Sequence, residues 1–372
     1  MKRMLIIFSG YNQRAVIAFL RTLERNKIDE YCIIASSEDD TILLTDYRNK
    51  VDYVRKIKQL DLKEITTLLR NIKEKRDVDE LVIVPSTEGL NRFILTHREI
   101  LENEGCIIPL VNRALYEQIS DKESFYKVCL KQGIKVPQII DFPKVFSDRF
   151  VAKPKKYISK DGNVYSPILV LNEEEYERFT QNYSIDLFDY QEYVDGESYY
   201  LLYYFNKDGD IYKYSQKNYV QQPGGKSIIA AEGTTIHNDE ISHSYESLIK
   251  KMNYHGFIMI EVRKHNGDYY MIEANPRLWG PSQLFVDAKV PIFEGFLKEM
   301  RFIDELPQIE ENKSAKYFWS TGAKSDILAD DKIAWYGNAR EYIAENMKKF
   351  IEYDMYNRID TKRVYLAENK CN

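Results

Sequence analysis

Cysteine is scarce in this chain. The four present, Cys32, Cys106, Cys129 and Cys371, stand far apart without C-x-x-C spacing, which argues against a redox or zinc pair and predicts unpaired thiols in a reducing cytoplasm. Long apolar runs are also missing. Nothing approaches the roughly 20 residues that span a bilayer, and the opening Met4–Phe8 stretch is too short for the core of a secretion signal. A cytoplasmic protein without a membrane partner is expected. The five histidines, His97, His237, His243, His255 and His265, form no metal-ligand spacing. No Gly-x-Gly-x-x-Gly follows the first apolar segment, so the dinucleotide fingerprint is absent. Net charge is −5 with both signs interspersed, which leaves no electrostatic case for a nucleic-acid partner. No repeat, low-complexity tract or Ser/His or Cys/His constellation for a protein nucleophile is found.

What is there suits a large α/β protein. The 372 residues allow two or three domains, and 30% charged residues with a mean hydropathy of −0.49 predict a globular chain. MLIIF, a turn at Ser9–Gln13, helical spacing over Ala15–Leu23 and the strand YCIIAS give a βαβ rhythm and predict a parallel sheet. A helix over Leu62–Lys75 and the strand LVIVP follow. Ser86 to Gly89 then lie where open sheets place ligands. Thr87 or Glu88 is a candidate substrate contact there, and helix capping by Ser86 or Thr87 is the competing role. Further on come a helix opening at Ser120–Glu123 and stopping at Gly133, the strand FVAKP carrying Lys153, and the loop KKYISKDGNVYS. The aromatic strands around QEYVDG and a Gly-Gly turn at Pro223–Ser227 precede a helix over Ser242–Met252. Beyond residue 300, KYFWS and an amphipathic helix at Asn338–Tyr353 show no chemistry and read as packing or oligomerisation elements, with a homodimer as one outcome.

The most informative stretch is GFIMIEVRKHNGDYYMIEANPRLWG, Gly256 to Gly280. It reads as a hairpin. A turn with an odd number of residues around Asn266-Gly267-Asp268 makes Glu261 face Glu273 and Met259 face Asn275. Ile258, Ile260, Val262, Ile272 and Ala274 then share the other face. A two-residue turn would set Glu261 opposite Ile272. Facing carboxylates repel unless a cation lies between them. Two carboxylates and one amide suit Mg²⁺ with phosphate oxygens and water completing its shell, and Arg277 is placed to reach an adjacent phosphate or carboxylate.

In order, Asp121-Lys122 opening a helix, FVAKP, QEYVDG, the PGGKS loop and MIEANPRLWG resemble the ATP-grasp superfamily across residues 115 to 290. The branch resembled is the carbamoyl-phosphate-synthase-like one that includes carboxylate–amine ligases. The resemblance implies an α/β (α+β ATP-grasp) fold. Its expected parts are an N-terminal parallel-sheet domain over 1–115, a small lid over 116–195, a larger antiparallel metal and substrate subdomain over 196–300, and an extension over 301–372. It implies ATP and Mg²⁺, with Mn²⁺ as a substitute, and small-molecule carboxylate and amine substrates joined with release of ADP.

The family's roles carry over as implications. Lys122 and Lys153 approach the phosphates. Gln191, Glu192 and Val194 hold adenine, Glu192 and Val194 through their backbone, and Glu197 binds ribose. Glu261, Glu273 and Asn275 are metal ligands, while Arg277 and Lys217 act on the transferred phosphoryl group. The lid loop departs from the family's Gly/Ser-rich pattern, so a lysine side chain, Lys160, is expected to take over phosphate contact. Alternatives are another acceptor, bicarbonate or a thiol, or a nucleotide-binding regulatory protein without turnover.

Overall fold

The computed structural model describes residues 2–156, 158–327 and 333–370; Cys371, expected as a free thiol, lies outside them. Strands β1 (Arg3–Phe8), β2 (Tyr31–Ala35), β3 (Val51–Val54), β4 (Glu80–Ile83) and β5 (Cys106–Ile107) form a parallel sheet in the order β3-β2-β1-β4-β5. Their near-continuous apolar runs fit a sheet covered on both faces. Helices α1 (Gln13–Arg25), α2 (Leu62–Arg76), α3 (Glu88–Thr96) and α4 (Arg98–Asn103) accompany it. α1 buries Val16, Phe19, Leu20 and Leu23 at helical spacing. Thr87, not Ser86, caps α3, its Oγ1 accepting from Leu90 N at 3.2 Å. Because β2 and β4 flank β1, the winding reverses between β1 and β4. The loops after those strands, Ser9–Asn12 and Ser86–Thr87, border a crevice at a topological switch point.

Helices α5 (Arg113–Ser120) and α6 (Lys122–Lys131) follow. Asp121 caps α6 through Ser124 N at 2.8 Å, which places Lys122 at its first turn. A small antiparallel sheet comes next, with β6 (Ile139–Ile140), β7 (Phe150–Pro154), β8 (Ile168–Val170) and β9 (Phe188–Glu192) in the order β6-β9-β7-β8, backed by α7 (Glu173–Asn182). It has its own aromatic core of Phe150, Phe179, Phe188 and Tyr190.

The largest sheet contains β10 (Glu197–Phe205), β11 (Ile211–Gln221), β12 (Ile228–Thr234), β13 (Gly256–His265), β14 (Asp268–Asn275), β15 (Lys316–Phe318) and β16 (Ala334–Trp335). Its path is β14-β13-β10-β11-β12-β15, with β16 paired to β11. The accompanying helices are α8 (Glu240–Lys251), α9 (Gln283–Asp287), α10 (Ile292–Glu299), α11 (Ser320–Ile327), α12 (Ala339–Glu352) and α13 (Lys362–Lys370). One face, carrying Tyr200, Leu202, Tyr204 and Met259, packs with side chains of α1, α9 and α10. The other, carrying Leu201, Tyr203, Ile258, Ile260 and Val262, packs with α5, α6 and α8. Among the described residues no helix is long and apolar enough to cross a membrane.

The hairpin corrects the expected turn while keeping the expected pairing. Its turn has two residues: His265 pairs with Asp268, and Asn266 and Gly267 both have positive φ, 50° and 88°, as a type I′ turn requires. Glu261 nevertheless faces Glu273 and Met259 faces Asn275, because a bulge intervenes and Val262 pairs with Met271. The extra residue is Ile272. Met271 therefore takes the core position expected of Ile272 and packs with Ile258, Ile260, Val262 and Ala274.

Candidate active site

The bulge positions more than the two carboxylates. A bulged residue is left out of the ladder, and the Ile272 carbonyl accepts a hydrogen bond from Lys153 Nζ at 2.8 Å, reaching over from β7. Each carboxylate has its own cation. Arg263 Nη2 lies 3.0 Å from Glu261 Oε1, two residues along the same face of β13. Lys122 Nζ lies 3.5 Å from Glu273 Oε2. Asn275 Nδ2 donates to Glu273 Oε1 at 2.8 Å, and Arg277 Nη2 donates to Asn275 Oδ1 at 3.2 Å.

This environment splits the pair electrostatically. Burial pushes Glu261 above the ordinary carboxylate value, and the charge of Glu273 adds to that against Arg263. Glu273 is held below its ordinary value: burial opposes ionisation, but Lys122, the Asn275 bond, Arg277 and Lys153 together outweigh it. Lys153 is buried and its ammonium is pushed down to about 7, first by burial and then by Lys122, with Glu273 and Glu261 resisting. Among the described residues no group of three or more His, Cys, Asp or Glu side chains clusters as a metal site. The oxygens of Glu261, Glu273 and Asn275 form a sparse hard-ligand set of the type that Mg²⁺ completes with phosphate and water.

Two cavities meet at this hairpin. One, of about 1250 Å³, is lined by Lys153, the Gln191–Glu197 segment, Glu261, Arg263, Ile272 and residues 333–337. The other, of about 1160 Å³, lies toward the parallel sheet and is lined by Ser9, Asn12, Arg55, Ser86, Thr87, Asn275 and Arg277 among others. Lys122, Glu273 and the Gly224-Gly225-Lys226 loop line both. The hairpin edge is thus the wall between them.

The Gln191–Val194 segment is suited to a flat polar ligand. Gln191 is buried, lines the first cavity, and its Oε1 has no partner among the described residues. A buried, unsatisfied acceptor is costly unless a ligand donates to it. The Glu192 N–H and carboxylate are engaged, the N–H donating to Gln138 O at 2.9 Å and the carboxylate accepting from Gln138 N at 3.0 Å. The Val194 N–H has no partner among the described residues.

Three expected site residues stand differently. Tyr200 pairs with both Glu261 and Gln216, whereas Tyr199 pairs with Lys217. Successive strand residues point to opposite faces, so Lys217 is on the face away from Glu261 and Glu273. There it forms an ion pair with Glu197 and lines neither cavity. Glu197 reaches the rim of the first cavity, but its carboxylate is already engaged by Lys217 and by Tyr199 OH at 2.7 Å. Lys160 is exposed and lines neither cavity; Lys156 of the same loop lines the second.

Local sequence pattern singles out none of Arg55, Arg263 and Tyr336, which line the two cavities. Tyr336, in the segment expected to carry no chemistry, donates to Gln221 Oε1 and accepts from Arg263 Nη2 at 2.7 Å. β16 pairs with β11 at Val220 and Gln221, beyond the end of the β10 ladder at Asn218. No local pattern announces a two-residue strand. The charge of Arg263, two residues after Glu261, was the one available signal.

A family model described as an ATP-grasp domain matches residues 119–281. No curated protein matches the chain. Among solved structures, biotin carboxylase from Campylobacter jejuni, complexed with β,γ-ATP, aligns at TM-score 0.59 and 16% identity over 84% of this chain and 74% of that one. N5-carboxyaminoimidazole ribonucleotide synthetase from Thermotoga maritima aligns at 0.53 and 18% over 84% and 78%. An L-amino acid ligase from Bacillus licheniformis aligns at 0.55 and 14% over 79% and 72%.

Proposed function

We propose, from the ATP-grasp fold and the match of residues 119–281 to an ATP-grasp domain model, that the protein is an ATP- and Mg²⁺-dependent ligase. It activates a small-molecule carboxylate as an acyl phosphate and joins it to an amine. The observation that carries this is the shared wall: Glu273 and Lys122 border both a cavity with an unsatisfied base-reading amide and a cavity rich in cations. A nucleotide in the first, γ-phosphate toward that wall, meets a carboxylate in the second.

In this mechanism a substrate carboxylate oxygen attacks the γ-phosphorus. The new P–O bond forms as the bond to the β–γ bridging oxygen breaks, and ADP leaves with that electron pair. The amine nitrogen then attacks the acyl carbon, inorganic phosphate departs, and the nitrogen loses a proton. Gln191 and the Val194 amide bind the base. Lys153 and Lys122 neutralise phosphate oxygens, and Arg277 orients the attacking carboxylate. Glu261, Glu273 and Asn275 are the residues that would hold Mg²⁺, which supplies charge neutralisation across the phosphates when bound. No protein nucleophile is needed. A reducing cytoplasm, where the buried Cys32, Cys106 and Cys129 remain thiols, is the proposed location.

The test is ADP release with pools of amino acids and small carboxylates. Stimulation by a carboxylate and amine together is expected, with Glu273→Gln folded but inactive. ATP binding with Mg²⁺ without stimulation by any pool would overturn the ligase reading, and full activity in Glu273→Gln would remove the metal assignment.

A further inference from the structure

The ligase chemistry does not use the Gly-Gly turn at Pro223–Ser227, although its tip lies on the wall shared by the two cavities. That tip is exposed, and Gly224 and Gly225 hold φ of 72° and 71°. A methyl group on either would meet nothing within 4 Å among the described residues. Adjacent glycines lose much conformational freedom when ordered, so something else must hold them. One side chain does so from beneath. Gln221, 1% exposed, donates through Nε2 to Gly225 O at 2.9 Å and to Lys226 O at 2.8 Å. Arg14 holds the far end of the turn, donating to Ser227 Oγ at 2.6 Å.

A bulge gives Gln221 this position. Asn218 pairs with Ala231 and Val220 with Ala230, so Tyr219 is an extra residue in β11. Tyr219 and Val220 both pack among Ala339, Ile343 and Phe350 of α12. Gln221 thereby returns to the face of Asn218, which Ser198 sets in line with Arg263. There its Oε1 accepts from Tyr336 OH and stands 3.5 Å from Arg263 Nη2. Arg263 Nη2 in turn donates to the Tyr336 oxygen at 2.7 Å and lies 3.0 Å from Glu261 Oε1. The direction of each bond follows from the groups involved. Two carbonyls can only accept, so Nε2 must face the turn; the Tyr336 oxygen accepts from Arg263, so its hydrogen goes to Gln221. A buried chain of hydrogen bonds, each polarising the next, thus joins Glu261, Arg263, Tyr336, Gln221 and the Gly-Gly tip.

We propose that Gln221 is a positioning residue that couples the two cavities: when a Mg²⁺-nucleotide is held at Glu261, Arg263 and Tyr336 are fixed, and Gln221 passes that order to the tip on the wall of the second cavity. The proposal rests on the nucleotide reading of the first cavity and not on which carboxylate or amine is used. Breaking the bonds to the tip frees the turn and loosens Arg263 beside Glu261. Breaking the bond to Tyr336 leaves the turn held but deaf to the nucleotide. Such coupling is reciprocal, so the factor by which nucleotide steadies the tip is the factor by which a released tip weakens nucleotide binding.

Trypsin reads the tip directly, because cleavage after the exposed Lys226 requires the turn to open. The initial rate of cleavage between Lys226 and Ser227 is followed by mass spectrometry in the full chain, with and without saturating MgADP, and MgADP affinity is measured calorimetrically. Gln221→Met keeps the side-chain length and loses the bonds; without ligand it should be cut about tenfold or more faster than wild type, and it should bind MgADP more weakly. MgADP should slow cleavage of wild type about tenfold and that of Gln221→Met by no more than about twofold. Tyr336→Phe decides the matter where Gln221→Met does not fold, since it removes only the hydroxyl between Gln221 and Arg263. It should be cut near the wild-type rate without ligand and lose most of the response to saturating MgADP, an outcome that a residue merely holding the turn would not produce. Equal ligand-free cleavage of wild type and folded Gln221→Met overturns the coupling. So does a wild type that binds MgADP without slower cleavage, or an equal MgADP response in wild type and Tyr336→Phe. Failure of wild type to bind MgADP would instead remove the nucleotide reading, with the ligand-free rates still deciding whether Gln221 holds the turn.

Discussion

Lys153→Met should stabilise the ligand-free protein while abolishing nucleotide binding. Lys153 is buried, its charge opposed by burial and by Lys122, and its ammonium is lowered from 10.5 to about 7. At 1.36 kcal/mol per pH unit, that displacement corresponds to roughly 5 kcal/mol for holding the charge in its buried position. Methionine keeps the apolar stem, removes the charge and loses the bond to Ile272 O, which returns about 1 kcal/mol. Allowing for relaxation around the buried charge, a net gain of about 2–4 kcal/mol is expected near pH 6.5.

The pH dependence has a definite sign. Below about 7 both folded and unfolded lysines are protonated and the full penalty applies. Between about 7 and 10.5 the unfolded state binds more protons, so wild-type stability rises relative to the variant and the difference closes toward 10.5. Urea titrations at several pH values measure this. A second series adds MgATP, which at a hundredfold excess over Kd should stabilise wild type by about 2.7 kcal/mol and leave the variant nearly unchanged. A variant less stable than wild type at pH 6.5, or a difference that does not vary with pH, would refute a buried ammonium held for an anionic ligand.

Tyr336→Phe removes the hydroxyl that links Gln221 to Arg263 and, through Arg263, to Glu261. A loss of about 1–3 kcal/mol in urea is expected, with weaker MgATP binding by calorimetry; unchanged affinity would separate β16 from the nucleotide site. Lys217→Gln breaks a partly exposed ion pair on the far face of the sheet. It should cost about 0–1 kcal/mol of stability and leave ADP release within about twofold of wild type, a barrier change under roughly 0.5 kcal/mol; a loss of several orders of magnitude would contradict the strand register.

The chemistry of the candidate site was legible in the sequence because it is local. Glu273, Asn275 and Arg277 lie within five residues on one strand end, Glu261 is one hairpin away, and Asp121, Lys122 and Lys153 are introduced by an N-cap and a short apolar strand. Periodicities of two and 3.6 reveal such features without long-range knowledge. The parallel N-terminal sheet was legible for the same reason. The facing glutamates were anticipated from an odd-length turn that is not present; a type I′ turn and a bulge at Ile272 produce the same pairing, and the bulge also releases the carbonyl that anchors Lys153. A bulge is set by the packing of Met271 and Ile272 against different neighbours, which local pattern does not contain. The face of Lys217 depends on the registers of β11 and β13 against β10, the latter across the intervening residues 206–255. The same applies to Arg55 and Tyr336, each unremarkable in its own stretch. Only the tertiary structure decides that a two-residue strand from the C-terminal segment closes the wall beside Glu261, because a cavity wall is a property of what converges in space.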